Sequence, residues 1–102
     1  MAKNLYVSAL LDVYGSFLGD KQRELTELYY NEDLSLAEIA ENEGITRQGV
    51  RDSIKRAEAQ LALLEEKCRY CEKFSLLKSL NAKARKGDIQ SAQKIFDIID
   101  DL

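Results

Sequence analysis

The sequence predicts an all-α protein, and three observations carry that reading. Proline is absent and glycine occurs only 5 times, whereas Leu, Ala, Glu and Lys abound. Apolar residues recur at intervals of three and four along most of the chain instead of alternating. The interruptions fall on residues that stop or cap helices: Gly19-Asp20, Ser35, Gly44, Thr46 and Gly87-Asp88. Five or six helices and no sheet are expected.

The first helix should run from about Leu5 to Leu18, with Leu10, Val13, Tyr14, Phe17 and Leu18 on one broad apolar face. Tyr6 and Tyr14 are expected to bury their rings and leave their hydroxyls in solvent. Gly19 ends this helix and Asp20 caps the next, which turns Leu25, Leu28 and Tyr29 inward and stops near Tyr30, before the polar Asn31-Glu32-Asp33. Ser35 and Glu38 have capping-box spacing at the head of a short amphipathic helix, Leu36 to about Glu43, whose inward residues are Leu36, Ile39 and Ala40. Gly44 supplies the left-handed residue that closes it. Ile45 is expected to plug the turn into the core, and Thr46 to cap a helix opening Arg47-Gln48-Gly49-Val50. Two helices joined by a short glycine turn make a helix-turn-helix, for which the Asp20–Tyr30 helix is the natural third partner.

The second helix of that motif continues past a minimal domain. Val50, Ile54, Ala57, Leu61, Leu64, Cys68 and Cys71 repeat at alternating intervals of four and three, a heptad seam roughly 31 Å long. Its far half overhangs a three-helix core and needs a partner, either the C-terminal segment or a second copy of the chain. Leu61, Leu64, Cys68 and Cys71 are the expected core of a homodimer interface. Ser75 and Lys78 break the seam, so a bend is expected around residues 72–75. The chain then divides into a helix-turn-helix domain with its long recognition helix (1–71) and a C-terminal helical packing segment (72–102). Within that segment Phe74, Leu76, Leu77 and Leu80 lie on a helix whose last turn carries Lys83, Arg85 and Lys86, complementing the helix dipole. Gly87 ends it, Asp88 caps again, and Ile89, Ala92, Ile95, Phe96 and Ile99 stripe a final helix.

A net charge of −3 hides an uneven distribution. Residues 1–45 carry 3 basic and 9 acidic side chains, residues 46–87 carry 11 and 5, and residues 88–102 carry 1 and 4. No apolar run reaches the ~20 residues of a membrane span. The short LYVSALL stretch meets Asp12 at once, which argues against a signal peptide, and two cysteines without one suit a reducing compartment. A cytoplasmic location is expected.

With Val50 at the centre of the buried face, Ile54, Ala57 and Leu61 fall within about 40° of it, while Arg51, Lys55 and Gln48 lie roughly 100–160° away, Arg47 being nearer the edge. Basic and amide side chains at the start of a recognition helix suit major-groove readout: Arg pairs bidentately with guanine and Gln with adenine. Thr46, Arg47, Gln48, Arg51, Lys55 and Arg56 are therefore the candidate nucleic-acid contacts. Asp52 sits among them and repels phosphate, so a protein-binding face and a plain solvated face both stay open. Gly49 weakens the helix by about 1 kcal/mol relative to Ala.

Cys68-Arg69-Tyr70-Cys71 has C-x-x-C spacing, but a structural zinc takes four ligands and the chain has no His and no third Cys. The pair reads as small apolar residues on the seam, and no metal or cofactor is expected. Without His or a glycine-rich phosphate loop, no catalytic residue stands out and a non-enzymatic protein is expected. Glu38 reads as a cap, and Tyr29-Tyr30 as a packing ridge rather than a stacking platform.

The segment from Gly19 to Ala57 looks like region 4 of bacterial sigma factors. A closer similarity covers nearly the whole chain. The run DVYGSFLGDKQRELTELYYNEDLSLAEIAENEGITRQGVRDSIKRAEAQLALLEEK resembles the YlxM family of small bacterial helix-turn-helix proteins. Asp12, Tyr14-Gly15-Ser16, Lys21-Gln22, Leu28-Tyr29-Tyr30, Asp33-Leu34-Ser35-Leu36, Glu38-Ile39-Ala40, Arg47-Gln48, Val50, Asp52, Ile54 and Lys55-Arg56 carry it, and the residues from about Cys68 are less diagnostic. Gly49 stands where many members of that family have Ala. The resemblance implies a regulatory role linked to the signal recognition particle pathway and supplies no ligand; on the residues, DNA or the particle's RNA is the first expected partner, and the particle's GTPase or its receptor the alternative. The resemblance implies no catalytic residues.

Overall fold

The computed structural model describes residues 3–102 and contains six α-helices: α1 (Leu5–Tyr14), α2 (Asp20–Tyr30), α3 (Leu36–Glu43), α4 (Arg47–Cys68), α5 (Tyr70–Arg85) and α6 (Ile89–Asp100). A 3-10 turn, Gly15–Phe17, follows α1, and there is no strand among the described residues. The chain divides into two compact units, Met1–Cys68 and Arg69–Leu102.

In the first unit α4 packs on α1, α2 and α3. Leu25 of α2, Ile39 and Ala40 of α3, and Val50 and Ile54 of α4 form one buried cluster, rimmed by Leu28, Tyr29, Tyr30, Leu34 and Leu36. The next two turns of α4 bury Ala57 and Leu61, and α1 buries Val7, Leu10, Leu11 and Tyr14. Thr26 is fully buried and satisfied, its hydroxyl donating to the Gln22 carbonyl one turn back at 2.7 Å.

The capping signals at Ser35, Gly44 and Asp88 are realised. The Glu38 amide donates to Ser35 Oγ at 3.1 Å while the Ser35 amide donates to Glu38 Oε1 at 3.0 Å, a complete capping box. The Ser35 amide, and next the Ser35 hydroxyl, hold the Glu38 carboxyl below the usual carboxylate range. Gly44 takes φ 68°, as a left-handed closing residue should. Asp88 caps α6, accepting from the Ser91 hydroxyl at 2.7 Å and the Ser91 amide at 3.4 Å.

Several local expectations are corrected. The first helix ends at Tyr14, and the Leu18 amide closes a 3-10 turn onto the Gly15 carbonyl. That tighter turn carries Phe17 outward, so it is exposed. Gly19, not Asp20, is the N-cap of α2, and no side chain bonds that end. Tyr6 is exposed, whereas Tyr14 is buried and its hydroxyl donates to Glu65 Oε1 of α4 at 2.6 Å instead of reaching solvent. Ile45 remains 40% exposed and only partly plugs the turn.

The largest difference concerns the heptad seam. Arg69 adopts φ 56°, in the left-handed region, and separates α4 from α5. The break therefore falls at Arg69 and not at residues 72–75, and the units divide between Cys68 and Arg69 instead of after Cys71. Four seam residues, Val50, Ile54, Ala57 and Leu61, are buried on one face of α4, Leu64 and Cys68 are half-buried, and Cys71 belongs to the next helix.

The second unit is a helical hairpin in which α5 packs against α6. Its buried residues are few: Cys71, Leu80 and Ser91.

Candidate nucleic-acid interface

Thr46 anchors the start of α4. Its hydroxyl oxygen accepts from the Gly49 amide at 2.9 Å and its carbonyl from the Val50 amide at 3.0 Å. A Cβ at Gly49 would lie 3.1 Å from Thr46 Oγ1, so a side chain here would press on the cap. Val50 and Ile54 fix the roll of the helix by burial. That roll leaves Arg47, Gln48, Arg51, Lys55 and Arg56 exposed.

Two recesses adjoin along one flank of α4. The first, about 270 Å³, is lined by Tyr29, Tyr30, Leu36, Arg51, Ile54, Lys55 and Glu58. The second, about 330 Å³, is lined by Leu36, Arg47, Gln48 and Arg51. Leu36 and Arg51 border both, making one groove with three cationic side chains along the helix and a tyrosine pair at its end. The two tyrosine rings meet edge to face with centroids 5.0 Å apart. Arg56 lines neither recess, so the structure brings together four of the six expected contact residues, with Thr46 serving as the cap beneath them.

Carboxylates modulate this face. Gln48 Nε2 donates to Asp52 Oδ1 at 2.9 Å, one turn along, so its amide is held within the helix surface. Burial, with the Glu58 carboxylate next in effect, pushes the Tyr30 hydroxyl up to about 12, so the phenol stays protonated. Sequence reading missed both the tyrosine pair and Glu58 as groove residues. The signal was present, since Arg51, Lys55 and Glu58 follow one another at helical spacing.

Lys3, which no periodicity singles out, pins the α2–α3 turn behind the groove. Its ammonium donates to the Tyr29 and Leu34 carbonyls at 2.7 and 2.6 Å and sits 3.7 Å from the Tyr29 ring centroid. It also lies 3.5 Å from Asp33. A cation here complements the carbonyl end of α2.

Of the four expected interface residues, Leu61 and Cys71 are buried within the chain, and Leu64 and Cys68 are half-buried. Both cysteines are free thiols, and no cluster of three or more His, Cys, Asp or Glu that could hold a metal ion occurs among the described residues. No helix there is long and apolar enough to cross a membrane.

Comparison with known proteins agrees with this architecture. Residues 1–101 match the model of the family UPF0122, described as "Putative helix-turn-helix protein, YlxM / p13 like". A UPF0122 protein of Clostridium kluyveri is 43% identical over 103 residues, covering 100% of this chain and 82% of that protein. One from Shouchella clausii is 46% identical over 85 residues, covering 83% and 78%. One from Desulforamulus reducens is 52% identical over 69 residues, covering 68% and 59%.

Proposed function

We propose that this chain, which belongs to the YlxM / p13-like UPF0122 family of helix-turn-helix proteins, is a non-enzymatic regulator that binds nucleic acid through the first turns of α4. The observation that carries the reading is the groove itself: Arg47, Arg51 and Lys55 stand exposed beside Leu36 and the Tyr29–Tyr30 pair on a helix start fixed by the Thr46 cap. Arginine and lysine neutralise phosphates or read guanine, Gln48 reads adenine once it leaves Asp52, and Thr46 and Arg56 flank the contact. A protruding helix suits the major groove of DNA, because that of A-form RNA is too deep and narrow for side chains. The family resemblance extends the proposal to the signal recognition particle pathway, with the particle's RNA as the other candidate ligand, and to action in the cytoplasm.

A second reading draws on the acidic groups in this face. Asp52 falls between Arg51 and Lys55, and Glu58 lines the groove with them; both disfavour phosphate, whereas a protein surface accommodates them. In that reading the chain is an adaptor whose groove docks on the particle's GTPase or its receptor.

Titration of labelled signal-recognition-particle RNA and of random-sequence DNA at several salt concentrations separates the two. With three to four phosphate contacts, log K should fall with log salt with a slope of about −3. The Arg51→Ala/Lys55→Ala double variant should lose most of that affinity without losing helicity. Binding to the purified GTPase or receptor, with none to either nucleic acid, would favour the adaptor.

A further inference from the structure

The hairpin leaves several large apolar side chains uncovered. Ile89, Phe96 and Ile99 are 74%, 61% and 52% exposed, and Phe74, Leu76 and Leu102 are also exposed. On α6 the apolar residues span about half the helix circumference. Ile95 and Ile98 are half-buried, and the other part of the arc, holding Ile89, Phe96 and Ile99, meets solvent. Between the two helices lies a groove of about 290 Å³ lined by Leu77, Lys78, Asn81, Ile95 and Ile99. A two-helix unit of fewer than about 40 residues does not bury enough surface to hold itself together, and such units usually oligomerise.

We infer that the α5–α6 hairpin is a self-association surface on which a second copy of this chain completes a four-helix bundle, α6 of each copy lying in the α5–α6 groove of the other. Charge selects this occupant. Helix α5 carries Lys73, Lys78, Lys83 and Arg85 against Glu72, whereas α6 carries Asp97 and Asp100 against Lys94, with Asp88 and Asp101 at its two ends. A two-fold axis sets the acidic helix of each copy on the basic helix of the other, so one surface supplies both halves of the complementarity. The uncovered isoleucine and phenylalanine side chains then become the bundle core, as facing stripes do in four-helix bundles. This interface differs from the seam expected on α4, since Leu61 is already covered within its own unit. It is also independent of whether α4 binds nucleic acid.

Sedimentation velocity of the full chain tests this directly. At about 50 µM, where a micromolar complex is mostly formed, the wild type should sediment with twice the 11.6 kDa chain mass. The Phe96→Asp/Ile99→Asp variant should be monomeric or dissociate at least about tenfold more readily, while circular dichroism shows its helices retained. Leu63→Asp, on an exposed site of α4, should remain dimeric. A monomeric wild type would overturn the proposal. So would a Phe96→Asp/Ile99→Asp protein that stays dimeric, or a Leu63→Asp protein that comes apart.

Discussion

Both units are mostly helix, but they use it in different ways. In Met1–Cys68 three helices surround α4, Ile39, Val50 and Leu61 are wholly buried, and side-chain caps hold the starts of α3 and α4. In Arg69–Leu102 only α5 and α6 meet, and large apolar side chains stand in solvent. The first unit has finished its core and presents charge. The second has not, and presents hydrophobic surface. Met1–Cys68 carries 8 basic and 13 acidic side chains, but its α4 face, basic over a closed core, suits a polyanion, whereas an open apolar stripe suits another protein.

The sharpest way to break this contrast is a matched pair of truncations. Ile39→Ala removes a fully buried side chain and should cost about 2–5 kcal/mol in chemical denaturation. Ile99→Ala, at a half-exposed site, should cost under about 0.5 kcal/mol when the protein is dilute. Equal losses for both would erase the distinction between closed and open units. Next in size is the cap: Ser35→Ala should cost about 1 kcal/mol by the same measurement, because it removes one bond of the capping box.

A smaller effect belongs to the junction. Arg69 holds a left-handed conformation that costs a side-chain-bearing residue about 1–2 kcal/mol. Arg69→Gly should therefore keep the break and raise stability slightly, after the added chain entropy is deducted. A large loss would mean that the Arg69 side chain itself holds the junction.

The smallest effect is seen in titration. Tyr30 should ionise near 12 by absorbance, after an exposed tyrosine, and Glu58→Gln should lower that value. Because the folded pKa lies above the ordinary value of 10, Tyr30 contributes stability that is fully present below about pH 10. That contribution should be lost as pH rises from 10 toward 12.

What the sequence made legible was local. Ser35-Glu38, Gly44, Thr46 and Asp88 declare helix ends through groups within a few residues of each other, and all four act as caps or closing residues in the structure. The burial of Val50, Ile54, Ala57 and Leu61 followed from periodicity in the same way. What escaped was long-range or unusual. Tyr14 finds Glu65 across 51 residues and Lys3 reaches Leu34 across 31, and no spacing rule connects such pairs. The break at Arg69 escaped because heptad spacing continued through it, and arginine does not advertise a left-handed turn. At the candidate site the cationic face was readable, since exposure follows from α4's roll. The tyrosine end of the groove was not, because it depends on how α2 meets α4.

The most direct test of the central claim, that α4 carries the nucleic-acid surface and the hairpin does not, is an amide-resolved NMR titration of the full chain with duplex DNA and with the particle's RNA. The account predicts shifts at Thr46 to Arg56 and at Tyr30, with the amides of α6 unmoved. Shifts confined to Arg69–Leu102, or none with either nucleic acid, would contradict it.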